Sequence, residues 1–164
     1  MYIRLAKMDD LPALLALYAH AREQMKRHQN PHQWGDHDPS SSVLQQDIRQ
    51  QQLYVILSDE QLCGAFAFVL GEDPTYQQIE EGHWLNSCPY GTIHRLASND
   101  IIPEIFATAL RFCEKICANI RIDTHKDNMI MQHLIQKHGF TPCGVIYVED
   151  GTPRIAYQRD KKEL

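Results

Sequence analysis

The side chains in this sequence that could move a proton or meet a charged ligand cluster at the ends of short apolar runs. His94 lies within residues 92–97, Thr-Ile-His-Arg-Leu-Ala, and alternates with Ile93 and Arg95, so it shares a strand face with Thr92 and Leu96. An imidazole ionises near neutral pH, which suits a general base. The same position also suits a histidine held between sheet and helix with its hydrogen bonds satisfied. His125 directly follows the apolar run 119–124. Functional groups collect where the strands of α/β sheets end. A turn histidine bonded to Asp123 or Asp127 is the other reading. Asn128 precedes an amphipathic stretch, where it can cap a helix, contact a ligand, or do both.

Aromatic and acidic residues form a second group. Trp34 stands in a loop over residues 30–42, as a pocket wall or as a staple holding the loop down. The segments 72–76 and 80–84 combine Glu72, Asp73, Glu80 and Glu81 with Tyr76 and Trp84. One reading is a cation site, with Tyr76 and Trp84 as walls and Glu81 or Glu80 attracting an ammonium group. The other is a solvated acidic loop anchored by two aromatic rings. His28, His32 and His37, with Asp36 and Asp38, lack helical spacing and are interrupted by Pro31. They read as a solvated loop, and no metal site is expected. The 5 cysteines are odd in number and not spaced as metal ligands. Cys113 and Cys117 are one helical turn apart and should face a core, so free thiols in a reducing cytoplasm are expected.

The elements that must position these groups follow from hydrophobic period. Residues 2–5 read as a strand. Asp9-Asp10-Leu11-Pro12 opens a helix, with an Asp cap and a first-turn proline, that fades near His28. A short helix covers 43–50, and strands cover 53–57 and 62–70. The second of these is apolar on both faces, as a central strand should be. A long polar and aromatic segment, 71–90, precedes the strand 92–97. A helix over 101–117, a strand over 119–124 and a helix over 129–138 follow, with Gly139 as its C-terminal cap. Residues 145–148 and 154–158 form a hairpin across Asp150-Gly151. The 164 residues, 43% hydrophobic, therefore describe one mixed α/β domain over 1–164. A net charge of -5 argues against a nucleic-acid partner. The longest apolar run, 65–70, is too short to span a bilayer, and the N-terminus lacks the build of a signal peptide. No membrane partner is expected.

Three segments in this order resemble the GNAT family of N-acetyltransferases. Ile93-His94-Arg95-Leu96-Ala97 resembles the family's fourth strand. Asp123-Thr124-His125-Lys126-Asp127-Asn128 resembles the exit of its fifth strand into its fourth helix. Gly139-Phe140-Thr141-Pro142-Cys143-Gly144 resembles the opening of its sixth strand. The resemblance implies a mostly antiparallel mixed sheet of about six or seven strands with helices on both faces, its fourth and fifth strands splayed apart. It implies acetyl-CoA as co-substrate, with the pantetheine arm lying along the fourth strand. The donor-binding set it implies is Leu96, Ala97, Ser98, Ile102, Glu104, Ile105 and Asn128. The reaction it implies is direct attack by a primary amine, of a small molecule or an amino terminus, in a ternary complex. It also allows a homodimer.

Two departures from the family pattern accompany it. At the glycine-rich pyrophosphate motif this chain has Ile101, Glu104 and Phe106, after a loop that reads as short. Glu104 and Asp100 would bring negative charge towards a polyanion. Where many members carry a proton-donating Tyr on the fourth helix, this chain has Ile135, which leaves His94, His125 and Tyr147 as catalytic candidates. The competing expectation is a GNAT-fold binding or regulatory module that has lost acetyl transfer.

Overall fold

The computed structural model describes residues 1–161. The elements run in the expected order: β1 (Tyr2–Leu5), α1 (Leu11–Arg27), α2 (Ser41–Arg49), β2 (Leu53–Ser58), β3 (Gln61–Leu70), β4 (Gly91–Ser98), α3 (Ile105–Ile116), β5 (Asn119–Thr124), α4 (Met129–Lys137), β6 (Thr141–Tyr147) and β7 (Pro153–Asp160). The strands form one seven-stranded sheet in the order β1-β2-β3-β4-β5-β7-β6. Every pair is antiparallel except β4–β5.

Strand alternation divides the core into two layers. Ala65 and Ala67 of β3 face one side, where Leu14, Leu17 and Tyr18 of α1 and Leu44 and Ile48 of α2 pack. Phe66 and Phe68 face the other, against Ile105, Phe106, Ala109 and Cys113 of α3 and Ile135 of α4. Small residues on one face and phenylalanines on the other are why β3 reads as apolar throughout. Among the described residues no helix is long and apolar enough to cross a membrane.

Three local features differ from the sequence reading. Asp10 does not cap α1 through its side chain. Its carboxylate instead takes the Lys7 amide at 2.7 Å and both terminal nitrogens of Arg4 at 2.8 and 2.9 Å. Second, α3 starts at Ile105 rather than near residue 101, because Pro103 disfavours helical geometry at the residue before it. Six residues, 99–104, therefore join β4 to α3, so this loop is not short. Third, the last two strands are longer than the expected hairpin arms.

Candidate active site

The site begins with one extra residue in β4. Ala65 of β3 faces Ala97, and Ala67 faces His94, so two steps along β3 match three along β4. That is a β-bulge. Arg95 takes it up in the left-handed region, at φ 53°. Three side-chain contacts hold it there. The buried Tyr18 hydroxyl donates to the Arg95 carbonyl at 2.7 Å. The Arg95 guanidinium reaches Asp47 Oδ2 through Nε and Nη2, both at 2.8 Å. Asp47 is only 3% exposed, and its other oxygen accepts from Gln52 at 2.9 Å.

β4 and β5 separate just before the bulge is reached. Their pairing consists of Gly91–Ile120 and Thr92–Arg121 and then stops. A cavity lies on each side of the resulting gap, of about 490 and 540 Å³. Met25, Leu96, Asn128 and Met131 line both, so the two meet where the sheet opens.

The first cavity is bounded by the C-terminal part of α1, the end of β4, the start of α3 and one face of α4. Leu96, Ala97, Ser98, Ile102, Glu104, Ile105 and Asn128 all line it. Asn128 accepts the Met131 amide at 3.0 Å and so caps α4. No side chain caps α3, which leaves its opening N–H groups and its dipole for an anion. Lys137 and His138 contribute to the same walls, as do the carboxylates Asp100 and Glu104. Glu104 is left-handed at φ 65°, a geometry that favours glycine. Ile135 is fully buried in the core, and the α4 side chains on the cavity include Met131 and Leu134.

The second cavity holds His94 and Trp34. His94 Nε2 lies 2.8 Å from Asp73 Oδ2. Burial raises the Asp73 pKa, but the bonds from His94 and Thr75 outweigh it and hold the carboxyl at about 2. Asp73 is therefore ionised and can only accept, which places a proton on Nε2, so that in the neutral ring the lone pair is on Nδ1. Asp38, Glu72, Asp123, Glu149 and Asp150 also line this cavity. Its two guanidiniums are engaged within the protein: Arg95 by Asp47, and Arg154 by Thr152, the Pro153 carbonyl and the Gln33 carbonyl. Arg154's partners are neutral, so its charge remains, but the carboxylates outnumber it and leave the surface negative. Trp34 packs against Tyr18 with ring centroids 5.6 Å apart.

The other expected residues lie off both walls. His125 is 8% exposed and its Nδ1 accepts the Asp127 amide at 3.0 Å. Burial, then the charge of Arg154, pushes its pKa down, so it serves the turn as a neutral ring. Tyr147 is exposed and donates to Glu80 at 3.0 Å, a bond that raises its pKa. Tyr76 is buried and donates to Asp123 at 2.5 Å, supporting the second cavity from behind. Trp84 donates to the Tyr76 carbonyl at 2.9 Å, and the cation on its face is the protein's own Arg121, 4.1 Å from the ring centroid. Glu81 is held at the far edge of the sheet, where Glu80 bridges to Val145 of β6. Gly144 allows that approach, since a Cβ there would lie 2.3 Å from the Glu80 carbonyl oxygen.

No protein-family profile and no curated protein matches the chain. Solved structures do. An acetyltransferase of the GNAT family from Streptococcus agalactiae is 28% identical, with a TM-score of 0.85, covering 98% of this chain and 95% of that one. A provisionally named acetyltransferase from Staphylococcus aureus is 25% identical, with a TM-score of 0.69, over 98% and 99% of the two chains. A GNAT-family acetyltransferase from Listeria monocytogenes, at 18% identity and a TM-score of 0.71 over 96% and 93%, shares the fold. This chain has the GNAT acetyltransferase fold. The resemblance read from three short segments holds along its length. Sequence reasoning placed Asp73 only among the acids of residues 72–76, without its pairing to His94, and passed over Lys137 and His138, which read as a helix end. Asn30 and Gln33, in the loop after α1, gave no signal at all.

Proposed function

We propose that this GNAT-fold protein transfers an acetyl group from acetyl-CoA to a primary amine, of a small molecule or an amino terminus, by direct attack in a ternary complex. The observation that carries the reading is the parted sheet, where a donor cavity and an acceptor cavity meet at Met25, Leu96, Asn128 and Met131. The residues present fit the donor. A polyanion meets the uncapped start of α3 with Lys137 and His138 near it, and the arm meets the end of β4.

The acceptor cavity supplies the other half. Carboxylates such as Glu72, Asp123 and Glu149 draw in an ammonium group. His94 Nδ1 takes its proton, directly or through a water, while Asp73 holds the ring and stabilises the imidazolium. The neutral nitrogen attacks the thioester carbonyl carbon and forms the C–N bond. The developing oxyanion is met by a main-chain N–H beside the β4 bulge. Collapse breaks the C–S bond, and the thiolate leaves unaided, as its modest basicity allows. Met131 and Leu134 offer it no proton. Five free thiols, three of them buried, fit a reducing cytoplasm.

Glu104 favours one second reading, a binding module that has lost transfer, because its carboxylate stands where the donor's phosphates would approach. Thermal unfolding with CoA, followed by thiol release with a panel of amines, separates the two. At a hundredfold excess over Kd the melting temperature should rise by about 5–10 °C. A shift with turnover supports the enzyme, a shift without turnover supports the binding module, and no shift removes acetyl-CoA from the account.

A further inference from the structure

Helix α1 ends in a left-handed turn at Gln29, whose φ is 64°. The Gln29 amide reaches the Lys26 carbonyl at 3.2 Å, and the Asn30 amide reaches Met25 at 2.8 Å. This double closure fixes the Asn30 backbone against the helix end. Its side chain is 2% exposed and lies in the wall of the donor cavity.

The Asn30 side chain is one end of a chain of three amides, and a single backbone group orients them all. The Met131 N–H donates to Asn128 at 3.0 Å, so the accepting atom of Asn128 is its oxygen and the other is its NH2. That NH2 meets Gln33 at 2.8 Å, so the Gln33 atom facing it is Oε1. Asn30 meets the same oxygen at 2.8 Å and must present its own NH2. Asn30 Oδ1 is thereby left as an acceptor. It is buried and has no hydrogen-bond partner among the described residues. A buried acceptor left unmade is costly, so the site calls for a donor.

We propose that Asn30 Oδ1 accepts an amide N–H from the pantetheine arm of the acyl donor. The proposal rests on the acetyl-CoA reading above. The arm is the part of the donor that carries amide N–H groups. It is also the part nearest the thioester, and Asn30 is tied through Gln33 to Asn128 at the gap itself. Gln33 lines the acceptor cavity, so the same amide chain links the donor arm to the acceptor wall.

The test is calorimetric binding of two probes, CoA and adenosine 3′,5′-bisphosphate, which lacks the arm. The proteins are the wild type, Asn30→Leu, and Asn30→Ala as a second variant in case the first folds poorly. The expected result is about tenfold weaker CoA binding in the variants, with affinity for the nucleotide unchanged. In steady state the KM for acetyl-CoA rises while kcat holds. Unchanged CoA affinity overturns the proposal. So does an equal loss for both probes, which would mean that Asn30 only supports the fold. A wild type that binds the nucleotide but not CoA overturns the assignment of the arm. A wild type that binds neither sinks the donor reading beneath it.

Discussion

Replacing Asp73 by Asn tests the proton path at its most specific point. Asp73 Oδ1 accepts the Thr75 amide at 2.9 Å and the Thr75 hydroxyl at 2.7 Å, and Oδ2 lies 2.8 Å from His94 Nε2. Asn keeps the shape and the bonds to Thr75 but presents an NH2 to Nε2. The imidazole must then accept at Nε2 and carry its proton on Nδ1, the nitrogen the mechanism needs free. A positioned general base contributes about 10²–10⁴ in rate, so kcat/KM for the amine should fall about a hundredfold or more at neutral pH. Asp73 lines only the acceptor cavity, so the KM for acetyl-CoA should stay put.

The same substitution carries a stability cost with a defined sign. The folded pKa of Asp73 is held at about 2, below the ordinary 3.8. Its contribution, about 2 kcal/mol, is therefore present in full above the unfolded value and is lost as pH falls from there towards 2. The Asn variant, which keeps the Thr75 bonds, should lose only part of that amount at neutral pH in urea unfolding and should be less sensitive to acid between those values. Initial rates of thiol release and urea midpoints, both across pH, read the two effects separately. A variant within threefold of the wild-type kcat/KM would refute the role of the pair. A matching loss of acetyl-CoA binding would show that Asp73 supports the site as a whole.

Tyr18→Phe should lower stability by about 1 kcal/mol in urea unfolding, because it strips the donor from the Arg95 carbonyl at the bulge. Glu104→Gly should raise stability by about 1 kcal/mol, since glycine adopts the left-handed geometry without strain. The same change should tighten CoA binding in calorimetry, with the gain shrinking as salt is added.

The order of elements and the wall of the first cavity were legible because both are local in sequence. Residues 96–105 run continuously from the end of β4 into α3, and Asn128 announces itself as a cap. The start of α3 was misplaced because Ile101 and Ile102 continue its apolar stripe in phase, while Pro103 and the left-handed Glu104 forbid the helix there. The acceptor wall was far less legible. It is assembled from Met25 and separated stretches near residues 33–43, 69–75, 93–96, 122–131 and 148–154, and no periodicity joins them. Trp84 shows why composition misleads. An aromatic ring beside acids looks alike whether the cation it holds is a ligand or, as here, a buried arginine of the same chain, shared with Tyr90.

The bulge ties the β4 edge of the gap to the buried charge of α2. Left-handed geometry at a residue such as Arg95 costs about 1–2 kcal/mol, and a straight β4 would avoid it. A straight β4 would, however, shift the strand by one residue and turn Arg95 to the other face. Asp47 of α2 would then be left with a buried carboxylate and no cation, at a cost of about 3–5 kcal/mol. The larger penalty decides the outcome, so the strand stays bulged with no ligand present. The bulged β4 edge of the gap is thus a property of the resting fold, and the thioester would meet that edge already formed rather than one it must force open.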